Sequence, residues 1–204
     1  MLKISLFYEV IVRDGKGNIL AKEEGECNSV VKNFPLALVG LMADVLNSRY
    51  VTLKDTSGVE RGYPYIKDAY SRVLWVGHET GVTSDIDKFG IVVGKGTSPV
   101  SFDDYKLEDK ITHGDGADQL YYGTVYIEYS SVEAGFPEIT IYRVFENQGT
   151  QAVDVNEIGL IVAEYRADLD GYAYYLVERT VLPSTITVPV GGSLIVKYIM
   201  RFEE

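Results

Sequence analysis

The chain has 204 residues, 46% of them hydrophobic, with 16 Tyr, 20 Gly, one Cys and a formal net charge of −11. That length and apolar content support a buried core without disulfides or metals and exclude a disordered chain. The acidity argues against a phosphate-neutralising nucleic-acid grip or an anionic membrane surface, the lone Cys27 excludes an intrachain disulfide, and no run of about 18 apolar residues predicts a membrane-spanning helix.

Leu2, Ile4, Leu6, Tyr8, Val10 and Val12 alternate with mostly polar neighbours, the period of a half-buried strand. This alternation differs from the continuous apolar run of a secretion signal, so synthesis in the cytosol is expected. Asp14-Gly-Lys-Gly-Asn18 marks a turn, and residues 19–24 read as the returning arm of a hairpin. Phe34, Leu38, Leu41, Met42 and Val45 then share one helical stripe. Ser29 or Asn33 is the candidate cap, and Pro35 suits only a first turn. Residues 51–56 read as a short strand, 60–71 as an irregular loop rich in Tyr, 72–76 as a strand carrying Trp75, and 77–88 as a polar loop.

The centre of the chain is 89–125, where an apolar strand at 90–93 runs into Gly94-Lys-Gly-Thr-Ser-Pro99. Beyond it come strands at 120–130, 138–146 and 153–164, the last read as one longer strand or as two with a break near Gly159. In the first of these, Tyr122, Thr124 and Tyr126 should share one face and Val125, Ile127 and Tyr129 the other; in the second, Ile139, Ile141, Arg143 and Phe145 share a face. Asp168-Leu-Asp-Gly171 signals a hairpin turn into 172–182. A short strand at 185–190, with Pro189, reads as a sheet edge, and 194–202 alternates to the end. Eight to ten strands with one amphipathic helix predict a mainly β fold. The expected architecture is an antiparallel β-sandwich of jelly-roll or Greek-key type. One domain spanning 1–204 is expected, with a helix-bearing lobe at 28–70 as a variant of that reading.

The motifs offer little chemistry. Only three residues separate Gly90 from Gly94, and Gly96 follows Lys95, so a phosphate loop cannot form; the glycines are turn residues. His78 and His113 lack partners at metal-ligand spacing, and no nucleophile elbow is present, so no catalytic residue is assigned and no cofactor is expected. Structural calcium has two candidate places, Asp168 with Asp170 and Asp115 with Asp118, although Asp also serves turns. Glu157 lies within an apolar strand, and a buried charge needs a partner. Arg179 is the expected one and Arg143 the alternative, in a structural pair that fixes register.

A resemblance adds a function. Asn28-Ser-Val-Val-Lys-Asn-Phe34, Thr52-Leu-Lys-Asp-Thr-Ser-Gly-Val-Glu-Arg61, Gly90-Ile-Val-Val-Gly-Lys-Gly-Thr97, Ser101-Phe-Asp-Asp-Tyr-Lys-Leu107 and Ile111-Thr-His-Gly114 resemble, in order, blocks of a family of tailed-virus (phage) structural proteins. Val155-Asn-Glu-Ile-Gly-Leu160, Glu178-Arg-Thr-Val-Leu182 and Gly191-Gly-Ser-Leu-Ile-Val196 resemble its C-terminal blocks. Pro35 and the Tyr-rich loop at 60–71 depart from the pattern. The resemblance implies a non-enzymatic virion component, assembled in the host cytoplasm. It would form homo-oligomers or dock on other virion proteins, as capsid decoration, tail or fibre.

Exposed strand edges and Tyr-rich faces are the physical means of such assembly. The expected assembly strands are Leu2, Ile4, Leu6, Tyr8 and Val10 at one end of the chain and Leu194, Val196, Tyr198, Met200 and Phe202 at the other, and removing residues 1–13 should abolish assembly. The rival readings are a subunit of a non-viral extracellular filament or tube, and a carbohydrate-binding module for a host-surface glycan, with Tyr63 and Tyr65 as its candidate aromatics.

Overall fold

The structure, a computed structural model, describes residues 3–27, 30–42, 51–63, 76, 87–129, 138–166 and 168–203. The expected strand at 72–76, Val45 of the helical stripe, Tyr65 and His78 lie outside the described residues, apart from Val76. The described residues form ten strands and one helix. The pairings between these strands run antiparallel, as two sheets and a separate hairpin.

The larger sheet has five strands. β1 (Lys3–Arg13) turns through Asp14, whose carboxylate accepts the amides of Lys16 and Asn18, into β2 (Ile19–Glu26). β6 (Tyr121–Tyr129), β7 (Glu138–Glu146) and β10 (Ser193–Glu203) complete it in the order β2-β1-β10-β7-β6. The smaller sheet places β8 (Val153–Arg166) between β5 (Gly90–Gly94) and β9 (Gly171–Val188). Their inner faces meet in one core, with Val10, Val12, Leu194, Val196 and Phe145 from the larger sheet and Ile91, Val93, Val155 and Ile158 from the smaller. This is the antiparallel sandwich expected from the strand count.

β3 (Val51–Lys54) and β4 (Glu60–Tyr63) make the separate hairpin, so part of the stretch expected to be irregular is a strand. Its turn is organised by Asp55, whose carboxylate accepts Ser57 and Val59 amides and the Arg61 guanidinium. Those hydrogen bonds hold the Asp55 carboxyl below the usual carboxylate range, against the opposing effect of burial.

In the helix α1 (Asn33–Met42), Phe34 of the expected stripe packs against the core and Leu38 is exposed, while the side chains of Leu41 and Met42 lie outside the described residues. Ala37 and Gly40 are buried while Leu38 and Val39 are exposed. Asn33 does not cap it. Its side-chain amide donates to the Lys54 and Leu176 carbonyls and accepts the Lys54 amide, which ties the helix start to β3 and β9. The small residues let the helix backbone sit close, and large side chains there would hold it off.

Two strands depart from simple alternation. In β6, Tyr122 pairs with Phe145 but Val125 with Arg143, so one extra residue intervenes. Tyr122 and Val125, expected on opposite faces, are therefore both buried. β9 is a single long strand where two were expected. Its register steps from Ile186 opposite Val155 to Val181 opposite Glu157, and Pro183 falls in the surplus residues, where no ladder donor is required. β8 runs through Gly159 unbroken, the first of the two expected alternatives, with irregularities between Val155 and Glu157 and between Leu160 and Ile161.

Candidate functional site

The long connection between β5 and β6, residues 95–120, lies against the outer face of the smaller sheet. It is held there by the carboxylate of Glu157, which is fully buried on β8. Oε1 accepts the amides of Gly96 (3.1 Å) and Asp109 (2.8 Å), and Oε2 accepts the amide of Glu108 (3.2 Å) and Arg179 Nε (2.7 Å). The Arg179 fork also reaches Asp104 Oδ2 at 2.9 Å and the Ser98 carbonyl at 3.2 Å. Burial works to lower the Arg179 pKa, and its bonds to Glu157 and Asp104 outweigh that and raise it. Glu108 closes the network by accepting both the amide and the hydroxyl of Ser98.

The glycines of Gly94-Lys-Gly96 are explained by this carboxylate. A Cβ on Gly96 would stand 2.6 Å from Glu157 Oε1 and 2.5 Å from Glu108 Cβ; one on Gly94 would stand 2.7 Å from the Asp109 carbonyl. The glycines admit a glutamate from the neighbouring strand, and no phosphate is needed to account for them. The blocks at 90–97, 101–107, 155–160 and 178–182 thus meet in one place. Leu107 inserts beneath the loop over Gly159, where a Cβ would meet its side chain at 2.8 Å. Ile111 receives the Tyr122 hydroxyl on its carbonyl.

Arg143 stands apart from Glu157. It is buried on β7, donates to the Gly123, Phe89 and Ile91 carbonyls, and lies over the Tyr122 ring at 5.0 Å. Burial lowers its pKa to about 10, with Tyr122 and Asp87 acting in the opposite sense. It joins the two sheets by tying β7 to β5.

Two of the four candidate calcium carboxylates, Asp168 and Asp118, are held in ion pairs. Asp168 faces Arg166 through both oxygens, at 3.0 and 2.9 Å, and the hydrogen bonds from Arg166 hold its carboxyl below the usual range. Asp118 pairs with Lys95 at 2.6 Å. Asp118 and Asp170 occupy left-handed backbone positions, φ 62° and 48°, which Asp tolerates in turns. Asp115 lies in the same turn region as Asp118. Among the described residues no three His, Cys, Asp or Glu side chains gather to hold a metal ion. Asp168 and Asp118 are placed as turn and ion-pair residues.

The expected assembly strands are not edges. β1 is hydrogen-bonded to β2 on one side and β10 on the other, and β10 lies between β1 and β7. Tyr8, Val10, Leu194, Val196 and Tyr198 are buried core residues. Leu2 lies outside the described residues, as does the Phe202 side chain. Strong alternation reports one buried face and carries no information about which strand ends the sheet. Within the described residues, the larger sheet ends at β2 and β6.

β1 and β10, with β7 and β6, nevertheless build an unusual surface. Cross-strand register sorts the inner face of the larger sheet into rows. Val12, Leu194, Phe145 and Tyr122 form a row that is fully buried. Tyr8, Tyr198, Ile141 and Ile127 form a later one, in which Ile127 is already 47% exposed. Leu6, Met200 and Ile139 are partly buried, and Ile4, opposite Phe202, is 59% exposed. The apolar pattern of the core therefore continues past the reach of the smaller sheet, at the end where β1 begins and β10 finishes. No sequence signal distinguishes these rows from the covered ones, because each has the same alternation.

Tyr63, a candidate glycan platform, is fully buried and packs edge-on against Tyr175 at 5.6 Å, so it cannot stack on a sugar in this fold. His113 accepts the Tyr122 amide on Nδ1 and serves the loop as a structural residue. The described helix is not long and apolar enough to cross a membrane. No family model, curated protein or solved structure matches the chain.

Proposed function

We propose that this chain is a non-enzymatic structural subunit of a tailed-virus particle, and that it assembles through the uncovered apolar end of its larger sheet. The observation that carries the reading is the sequence of inner-face rows that loses its cover while staying apolar, down to Ile127 and Ile4. Contiguous exposed apolar surface on a soluble protein marks an interaction site. The placement on a rigid sheet lowers the entropic cost of docking. The resemblance of the ordered blocks supplies the virion context, and the clamped 95–120 loop gives those blocks a common structural purpose.

The test is mass photometry with cryo-electron microscopy of the purified protein, beside the Ile4→Lys variant. Ile4 is largely exposed, so a lysine there should leave folding intact while placing a solvated charge in the interface. Rings, tubes or fibres in the wild type and monomers in the variant support the proposal. A wild type that stays monomeric at all concentrations, alone and with virion proteins, or a variant that assembles normally, refutes it. Particles that enclose DNA separate the viral subunit from a cell-surface filament built by the same physics.

A further inference from the structure

The core between the sheets holds a carboxyl group without a countercharge. Glu178 sits on β9, 1% exposed. Its Oε1 accepts the Thr180 hydroxyl, and its Oε2 has no hydrogen-bond partner among the described residues. Nor has the hydroxyl of Tyr198 on β10, equally buried and close enough to feel the Glu178 charge.

Apart from Arg179, the titratable groups that act on or lie around Glu178 are uncharged or acidic. From β10 comes Tyr198, from β1 Tyr8, and from the end of β2 the buried thiol of Cys27. Glu26 and Glu23, on β2, add negative charge beyond Cys27 and Tyr8. The nearest cation, Arg179, is the next residue on β9 and is spent on Glu157 and Asp104 on the outer face. An ionised carboxylate here would be buried without a partner, which proteins avoid by keeping the group protonated. The backbone at Glu178 also matters. Val30 bridges to Glu178 and the Val31 amide donates to the Val177 carbonyl, so the crossover from β2 to α1 is fastened at this point.

We propose that Glu178 is a proton-operated latch: protonated, it stays in the core and holds the β2–α1 crossover and β10 against β9; ionised, it loosens both. The latch lies beside the row of Tyr8 and Tyr198, next to the uncovered rows, yet it needs no assembly to operate. Burial, the largest influence, raises the Glu178 pKa to about 7, with Thr180, Tyr198 and the charge of Arg179 partly opposing it. The folded value lies above the unfolded one, so between them the unfolded state binds fewer protons and stability falls as pH rises. The contribution is intact below the unfolded carboxylate range and is lost as pH rises through neutrality.

The experiment compares wild type with Glu178→Gln, which keeps the shape of the protonated acid. Melting temperatures are measured from about pH 5 to about pH 8.5, a range that brackets the titration. The difference between wild type and variant should be small at the acid end and grow toward the alkaline end, with the variant the more stable there. Exchange of the Val31 amide, corrected for intrinsic rates, should accelerate about tenfold or more over that range in wild type and stay flat in the variant. Carbon-13 NMR of the wild-type Glu178 carboxyl gives its titration directly and does not depend on the variant folding. A midpoint in the ordinary carboxylate range, or parallel pH profiles for the two proteins, overturns the latch. None of these readouts depends on the oligomeric state.

Discussion

Replacing Glu157 by glutamine tests whether one carboxylate holds the central loop. The four groups that converge on it are all donors: the amides of Gly96, Glu108 and Asp109 and the guanidinium of Arg179. A carboxylate accepts from both oxygens, whereas a glutamine must turn its NH2 toward one pair of donors. Two buried donors then lose their acceptor, at about 1–3 kcal/mol each. Removing one partner of a buried ion pair typically costs about 3–5 kcal/mol, which covers the same loss counted another way. Arg179 keeps Asp104 and the Ser98 carbonyl, so the lower half of that range is the better expectation, about 3 kcal/mol. For a chain of this size that is a fall in melting temperature of roughly 10 °C. Thermal and urea denaturation followed by circular dichroism measure it, and limited proteolysis should cut first within residues 95–120. A variant within a degree or two of wild type, with the loop equally resistant, would falsify the clamp.

Gly96→Ala should destabilise by a similar amount, because its Cβ would displace the same carboxylate, and the double variant with Glu157→Gln should fall well short of additive in a denaturation cycle. Arg143→Met should cost about 3 kcal/mol in urea denaturation, since the Gly123, Phe89 and Ile91 carbonyls would lose a shared donor in the core. Chelation by EDTA should leave the melting temperature unchanged, as Asp168 and Asp118 already face Arg166 and Lys95; a clear fall would support the calcium reading. Deleting residues 1–13 should now unfold the larger sheet by removing the strand between β2 and β10, a loss of secondary structure that circular dichroism would report before any loss of assembly.

The sheet architecture was legible where alternation maps directly onto a half-buried face, as in β1, β7 and β10. Legibility failed where the period changed within a strand. The extra residue between Tyr122 and Val125 reverses the inward set of β6, and nothing in Tyr122-Gly-Thr-Val125 except the glycine hints at it. The surplus residues around Pro183 interrupt the alternation, so 172–182 and 185–190 read as separate strands where one strand runs through. The helix was placed correctly, and of its expected stripe Phe34 packs against the core while Leu38 is exposed. A stripe of large apolar residues is the usual sign of the buried side, but here Ala37 and Gly40 permit a closer approach than Leu38 would. The Glu157–Arg179 contact was deducible in kind, since a charge in an apolar strand demands a partner. Its wider role was not deducible, because the three amides that it accepts are supplied by a loop whose path only the fold determines.

The two sheets differ in how their faces are used, and the difference locates the free surface. β5 and the middle of β8 are buried on both faces, inward by the larger sheet and outward by the 95–120 loop, which is why Ile158, Leu160, Ile161, Val162 and Ala163 run apolar without alternation. The larger sheet has one covered face and an outer face laced with ion pairs, such as Lys197 and Lys22 on Glu9 and Arg201 on Glu138. Those pairs are partly exposed and contribute little to stability, but they make that outer face costly to bury, because each charge would have to be desolvated. A partner that seeks apolar area therefore finds it on the inner face, where the smaller sheet stops short. The row that Tyr198 shares with Tyr8 separates the covered core from that surface, and Glu178 lies against it from the opposite sheet.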